Sequence, residues 1–114
     1  MDISVPNCNG VLPEGLHDVV ARRNRSYAAV NIALCEDGLY RMSVELRYSY
    51  GGFSGPIRWD DEGYPSLDAA RTAGLRELLK RWNKPFPSDP QSVHDELRKM
   101  REQVEARLRQ PSLF

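Results

Sequence analysis

Between Arg41 and Tyr50 the chain alternates. Met42, Val44, Leu46, Tyr48 and Tyr50 fall on one side, and Arg41, Ser43, Glu45, Arg47 and Ser49 on the other. A period of two predicts a strand with one buried and one solvated face. The preceding run Tyr27–Cys35 is rich in strand formers, and Glu36-Asp37-Gly38 between them is a hairpin signal, because Asp-Gly suits the positive φ of a tight turn. Gly51-Gly52 predicts another turn and Phe53–Trp59 a third strand. Pro56 lacks an N–H, so this strand is expected at an edge or with a bulge.

Helical spacing takes over afterwards. Ser66 is an expected N-cap, with Asp68 near the positive end of the helix dipole. Leu67, Ala70, Ala73, Gly74, Leu75, Leu78, Leu79 and Trp82 then mark an apolar face. Gly74 inside a helix costs about 1 kcal/mol relative to alanine, which predicts close approach of this helix to the sheet. Three prolines between Asn83 and Pro90 predict a linker. Asp89 and Pro90 form an expected N-cap and first-turn pair for a helix over 90–109. Its stripe of Val93, Leu97, Met100, Val104 and Leu108 is narrow, so it packs on the domain or on a second copy of the chain as a homodimer. Upstream, Leu16, Val19 and Val20 predict a short helix over 14–24, and residues 1–12 read as an irregular arm.

The expected class is α+β: a three-stranded antiparallel meander packed on one face by a helix, in (α)βββαα order. Residues 13–84 are the core, 85–109 a Pro-rich hinge with an amphipathic helix, and 110–114 a terminal peptide.

At 114 residues the chain has room for one domain, burying about 65% of its unfolded surface. Sixteen basic and sixteen acidic side chains cancel, so no global field draws it to nucleic acid or an anionic membrane. No apolar run is long enough to span a bilayer, and Met1–Gly10 has no basic segment followed by an apolar one. With Cys8 and Cys35 lacking a CxxC spacing, the expectation is a cytoplasmic protein with reduced thiols.

Catalytic chemistry finds little footing. Nothing in the spacing joins His17 or His94 to a nucleophile. Asp60-Asp61-Glu62 lacks the regular ligand spacing of a cation site, and Gly51, Gly52 and Gly55 have no helix behind them to cradle a phosphate. A non-enzymatic protein without cofactor or metal is expected. Nucleic-acid binding has more support: Arg41, Arg47 and Arg58 are expected on the exposed sheet face, and Arg22, Arg23 and Arg25 just before its first strand. Tyr27, Tyr40 or Trp59 would supply a stacking surface for bases.

The chain finishes Gln110-Pro111-Ser112-Leu113-Phe114. This string resembles the short peptide by which many bacterial replication and repair proteins dock on the DNA polymerase sliding clamp. That motif reads glutamine, any residue (often leucine), serine or aspartate, leucine, phenylalanine, and commonly stands at a chain end. Gln110, Ser112, Leu113 and Phe114 match, with Pro111 in place of the usual leucine. The resemblance implies that Leu113 and Phe114 fill an apolar pocket while Gln110 bonds at its rim. A helix, three strands and a helix also resemble the double-stranded-RNA-binding domain in order. However, Ser66–Arg71 lacks that family's lysine cluster. Glu36-Asp37-Gly38 and Gly63–Ala70 are similar to segments of HicB-type antitoxin domains, which share a βββα core.

The leading expectation is therefore an accessory protein of bacterial or phage DNA metabolism, tethered to the clamp by its terminal peptide. The alternatives are a HicB-like or self-assembling interaction module with a structural tail, and a weak nucleic-acid binder.

Overall fold

The computed structural model describes residues 2–6, 10–13 and 15–110. In chain order the elements are β1 (Ile3–Ser4), β2 (Val11–Leu12), β3 (Leu16–Arg23), β4 (Ser26–Cys35), β5 (Tyr40–Tyr48), β6 (Gly51–Phe53), β7 (Ile57–Arg58), α1 (Leu67–Lys80) and α2 (Gln91–Arg109). The chain is α+β, but its sheet is larger than a three-stranded meander. Five strands form a mixed sheet in which β4 pairs antiparallel with β3 and β5 and parallel with β1, and β6 follows β5. A second, two-stranded sheet joins β2 to β7.

Two expectations fail at the N-terminal end. The helix expected over 14–24 is β3, and the arm over 1–12 contributes β1 and β2. The apparent helical spacing has a local cause. A bulge between Val19 and Ala21 shifts the register against β4, so the consecutive residues Val20 and Ala21 both enter the core on the helix side. Val19 sits opposite Ala29 on the other face. Two adjacent β-branched residues favour an extended backbone, and the bulge supplies the break in alternation that mimics a helix. With a strand in that place, the element order departs from the helix–three-strand–helix order of double-stranded-RNA-binding domains.

Three boundaries also move. Ser49 and Tyr50 form the tight turn, leaving Gly51 and Gly52 to open β6. A Cβ on Gly52 would lie 1.9 Å from the Leu46 carbonyl oxygen, so only glycine fits there. The strand expected over 53–59 is split by Pro56 into β6 and β7, which belong to different sheets. Pro90, rather than Asp89, is the N-cap of α2. The Asp89 carboxylate instead accepts from the Phe86 N–H within the linker (2.8 Å).

Both helices cover one face of the large sheet. Ala28, Val30, Ile32, Val44 and Leu46 meet Ala70, Leu75 and Leu78 of α1 and Val93, Leu97, Met100 and Val104 of α2 in one core. Ser66 caps α1 as expected, accepting from the Ala69 N–H (3.0 Å). A Cβ on Gly74 would stand 2.4 Å from Val30 Cγ1, so the glycine does permit close helix–sheet approach. The stripe of α2 is taken up inside the domain. On the opposite sheet face, Leu12 and Ile57 of the small sheet cover Ala33 and Cys35. Cys35 is a buried free thiol, and Cys8 lies outside the described residues. No described helix is long and apolar enough to cross a membrane.

Polar staples fix the helices to the sheet. Glu96 of α2 is buried and accepts from the Ser26 hydroxyl, the Ser49 hydroxyl (2.7 Å) and the Ser49 N–H (3.2 Å). It thereby ties the β3–β4 and β5–β6 turns to one helix. Asp18 of β3 accepts from Arg71 of α1 (2.6 Å) and Arg107 of α2 (3.4 Å). The Gln103 side chain accepts from the Arg22 N–H (2.9 Å) and donates to the Arg22 C=O (3.0 Å), closing that point of the β3 edge.

Burial of the Glu96 carboxylate opposes its ionisation. The Ser26 and Ser49 hydroxyls, the Ser49 N–H and the charge of Arg23 outweigh that effect and hold its pKa below the ordinary value. A depressed folded-state pKa contributes stability above the unfolded pKa and loses it as pH falls through the folded one. Glu96→Gln is accordingly expected to lower stability near neutrality by about 2 kcal/mol. Urea midpoints measured from neutral to acid pH will fall less steeply for the variant, and the two curves will converge in acid.

Candidate functional site

The face of the large sheet that turns away from the helices is polar where the small sheet does not reach it. Register builds it in rows across β3, β4 and β5. Arg22, Tyr27 and Arg47 align in one row, Val19, Ala29 and Glu45 in the next, and His17, Asn31 and Ser43 in the third. Alternation explains the composition. Ala28, Val30 and Ile32 are committed to the core, so their odd-numbered neighbours must face the other way.

These side chains form a connected network. Glu45 is nearly buried and accepts from the Tyr27 hydroxyl (3.0 Å) and from Asn31 Nδ2 (3.2 Å). Arg47 Nε lies 3.5 Å from its carboxylate. His17 Nδ1 donates to Asn31 Oδ1 (2.6 Å), which fixes the tautomer because an amide oxygen can only accept. The same nitrogen is 3.4 Å from Glu45, and the His17 and Tyr27 rings meet edge to face at 5.9 Å. The Arg22 guanidinium lies over the Tyr27 ring at 5.7 Å from its centroid. The open row thus offers one aromatic ring held by its hydroxyl and flanked by two guanidinium groups. Chemically it suits an anion beside a planar group.

Of the arginines expected to bind nucleic acid, three gather here. Arg22 and Arg47 flank Tyr27, and Arg25 is exposed in the adjacent turn. Arg23 points to the helix side, where its charge acts on Glu96. Arg58 is exposed in the small sheet, with Asp60 at 3.7 Å. Arg41, expected to be exposed, is buried. It donates to both Asp37 oxygens (3.1 and 3.0 Å) and to the Asp61 carbonyl (3.0 Å), and it stacks on Trp59 at 4.6 Å. The loop after β7 folds over this end of the sheet and sequesters it. The Asp37 partnership raises the Arg41 pKa, and the Arg41 hydrogen bond lowers that of Asp37.

Tyr40 packs against the core and Trp59, though exposed, is stacked on Arg41; of the three, Tyr27 is the one set between Arg22 and Arg47. The sequence offers no spacing that joins His17 to a nucleophile, and the structure gives it a different setting. It belongs to the network because β3 is a strand; His17 and Val19 share the polar face, and the bulge after Val19 breaks the alternation that would have marked it. His94 Nε2 meets the Phe86 carbonyl (3.1 Å) in the linker. Among the described residues no group of His, Cys, Asp and Glu is placed to hold a metal.

Beside β3, where Arg107 reaches Asp18, α2 closes at Arg109. Gln110 turns to extended backbone (φ −72°, ψ 133°) and is exposed. It is the first residue of the clamp-like string; Ser112, Leu113 and Phe114 lie outside the described residues.

No protein-family model, curated protein or solved structure matches this chain.

The burial of Arg41 separates stability from binding. Arg41→Ala is expected to lower the thermal midpoint by several degrees, because it frees Asp37, Trp59 and the Asp61 carbonyl together. It leaves any affinity for oligonucleotides unchanged. Parallel melts and filter-binding titrations of the variant check both statements.

Proposed function

We propose that this chain is a small accessory protein of bacterial or phage DNA metabolism, brought to the sliding clamp by Gln110–Phe114. The observation that carries this reading is the placement of the string. It follows a helix whose apolar stripe is already engaged in the core, and its first residue is exposed with extended backbone. An extended backbone is the form in which a short peptide enters a groove. Pro111 cannot continue a helix and presets part of that form, which lowers the ordering cost of binding. Leu113 and Phe114 act as the buried anchors and Gln110 as the rim contact.

The decisive comparison is between the full chain and Leu113→Ala/Phe114→Ala, titrated against a bacterial sliding clamp and melted in parallel. The double variant is expected to lose about a hundredfold or more in affinity while its melting temperature stays unchanged. Undiminished binding, or a lowered melting temperature without any clamp affinity, would sink the proposal and return both residues to a structural role.

The Arg22–Tyr27–Arg47 row supports a second reading, in which the body contacts single-stranded nucleic acid. Two guanidinium groups on either side of a stacking ring match alternating phosphates and bases. The same face then serves the tethered protein as its contact with DNA. Each phosphate contact removed should reduce the slope of log K against log salt by roughly 0.7 for a single strand. Arg22→Ala/Arg47→Ala is therefore expected to bind oligo-dT more weakly and with a shallower salt slope; identical slopes would exclude the reading.

A further inference from the structure

The outer edge of β5 is paired at both ends and open between them. At one end the Tyr40 N–H donates to the Tyr64 carbonyl (2.8 Å) and the Tyr64 N–H returns to Tyr40 (2.7 Å). At the other end Leu46 and Tyr48 pair with Phe53 and Gly51. In an antiparallel strand, alternate residues direct both backbone groups to the same edge. Met42 and Val44 share the parity of Tyr40, Leu46 and Tyr48, so their N–H and C=O point outward as well. No described strand faces them. The chain that would have filled the gap leaves β6 and crosses at Gly55-Pro56 to β7, in the other sheet. A slot of about 270 Å³ remains, bordered by Met42, Val44, Pro56, Glu62, Glu77 and Arg81.

Two observations indicate that the slot is made for an occupant. Val44 is only 3% exposed, and its outward N–H and C=O have no backbone partner among the described residues. Buried peptide groups in native proteins nearly always find a partner. Ser43, which also borders the slot, has its hydroxyl oxygen buried with no hydrogen-bond partner among the described residues.

The spacing of the open groups identifies the backbone of the occupant. Two N–H and C=O sets lie two residues apart along a strand, which is the complement of an extended peptide. The charges identify its side chains. Asp61, Glu62 and Glu77 border the slot against one guanidinium, that of Arg81. Arg81 is engaged over the Phe53 ring at 4.4 Å. Among the described residues Glu62 accepts from the Tyr64 hydroxyl alone (3.3 Å), and neither Glu62 nor Glu77 has an ion pair. Burial raises the Tyr64 pKa, and the charges of Glu62, Glu77 and Asp61 raise it further, so their field converges at this place. A second copy of the chain is disfavoured as occupant, because two such edges would bring like charges together.

We infer that the outer edge of β5 is a strand-addition site for a short, extended partner segment carrying lysine or arginine. The segment pairs with Met42 and Val44 and places its basic side chains against Glu62 and Glu77. This site is separate from both the Gln110–Phe114 segment and the Arg22–Tyr27–Arg47 face.

The test titrates isotope-labelled full-length protein with a capped peptide alternating lysine and valine, at low salt, following backbone amides by NMR. Expected are shifts and slowed exchange at the Met42 and Val44 amides, with exchange in α1 unchanged. A peptide alternating glutamate and valine should produce neither effect. Glu62→Gln/Glu77→Gln should weaken binding of the lysine peptide about tenfold. Methylation of the peptide nitrogens on its pairing edge should remove the effect at Met42 and Val44. Absence of the Met42 and Val44 response at millimolar peptide overturns the proposal. So does equal binding by the double variant or by the N-methylated peptide.

Discussion

β4 is the constraint to which the rest of the domain answers. All of Ser26–Cys35 is buried except Tyr27 and Leu34, which are partly exposed. A strand covered on both faces and paired along both edges leaves its neighbours few choices. Its even-numbered residues demand an apolar cover, which α1 and α2 supply. Its odd-numbered residues must be small or fully bonded. Ala29, Ala33 and Cys35 meet the first condition, and Asn31 the second, with its amide spent on His17 and Glu45. Gly74 belongs to the same constraint, because a larger residue would push α1 away from Val30.

That arrangement divides the sheet into regions with different prospects. The helix side is closed, and the buried carboxylate of Glu96 is used there to hold two turns in place. The far side is split between a capped end, under the small sheet, and an open polar end around Tyr27 and Glu45. The β5 edge is a third region, left unfinished where Pro56 diverts the chain. Surfaces available to partners in this molecule are therefore the places where β4's requirements have been met and backbone or charge is left over.

Charge neutrality over the whole chain conceals this local distribution. Asp37 and Asp18 are tied to arginines within the fold, whereas Glu62 and Glu77 have no ion pair among the described residues and Arg22 and Arg47 share an open row. A molecule with no net field can thus present acidic and basic surfaces of its own, each sensitive to salt at short range.

The sequence by itself determined the elements whose signals are local. The β4–β5 hairpin, with Asp37-Gly38 at its turn, the Ser66 cap and the close approach at Gly74 were all legible, because period, turn chemistry and capping act within a few residues. Tertiary structure alone decided that residues 16–23 are a strand, since the bulge at Val19/Ala21 scrambles alternation and only pairing with β4 reveals it. It decided that Arg41 is a buried clasp while Arg47, six residues along the same alternating face, stays exposed. The loop that covers Arg41 is distant in sequence and carries no mark of where it will lie. It also decided that β5 keeps an open edge, because pairing is a relation between strands: neither Met42 nor Val44 differs in kind from the residues beside it, and only the path taken after Phe53 leaves them without a neighbour.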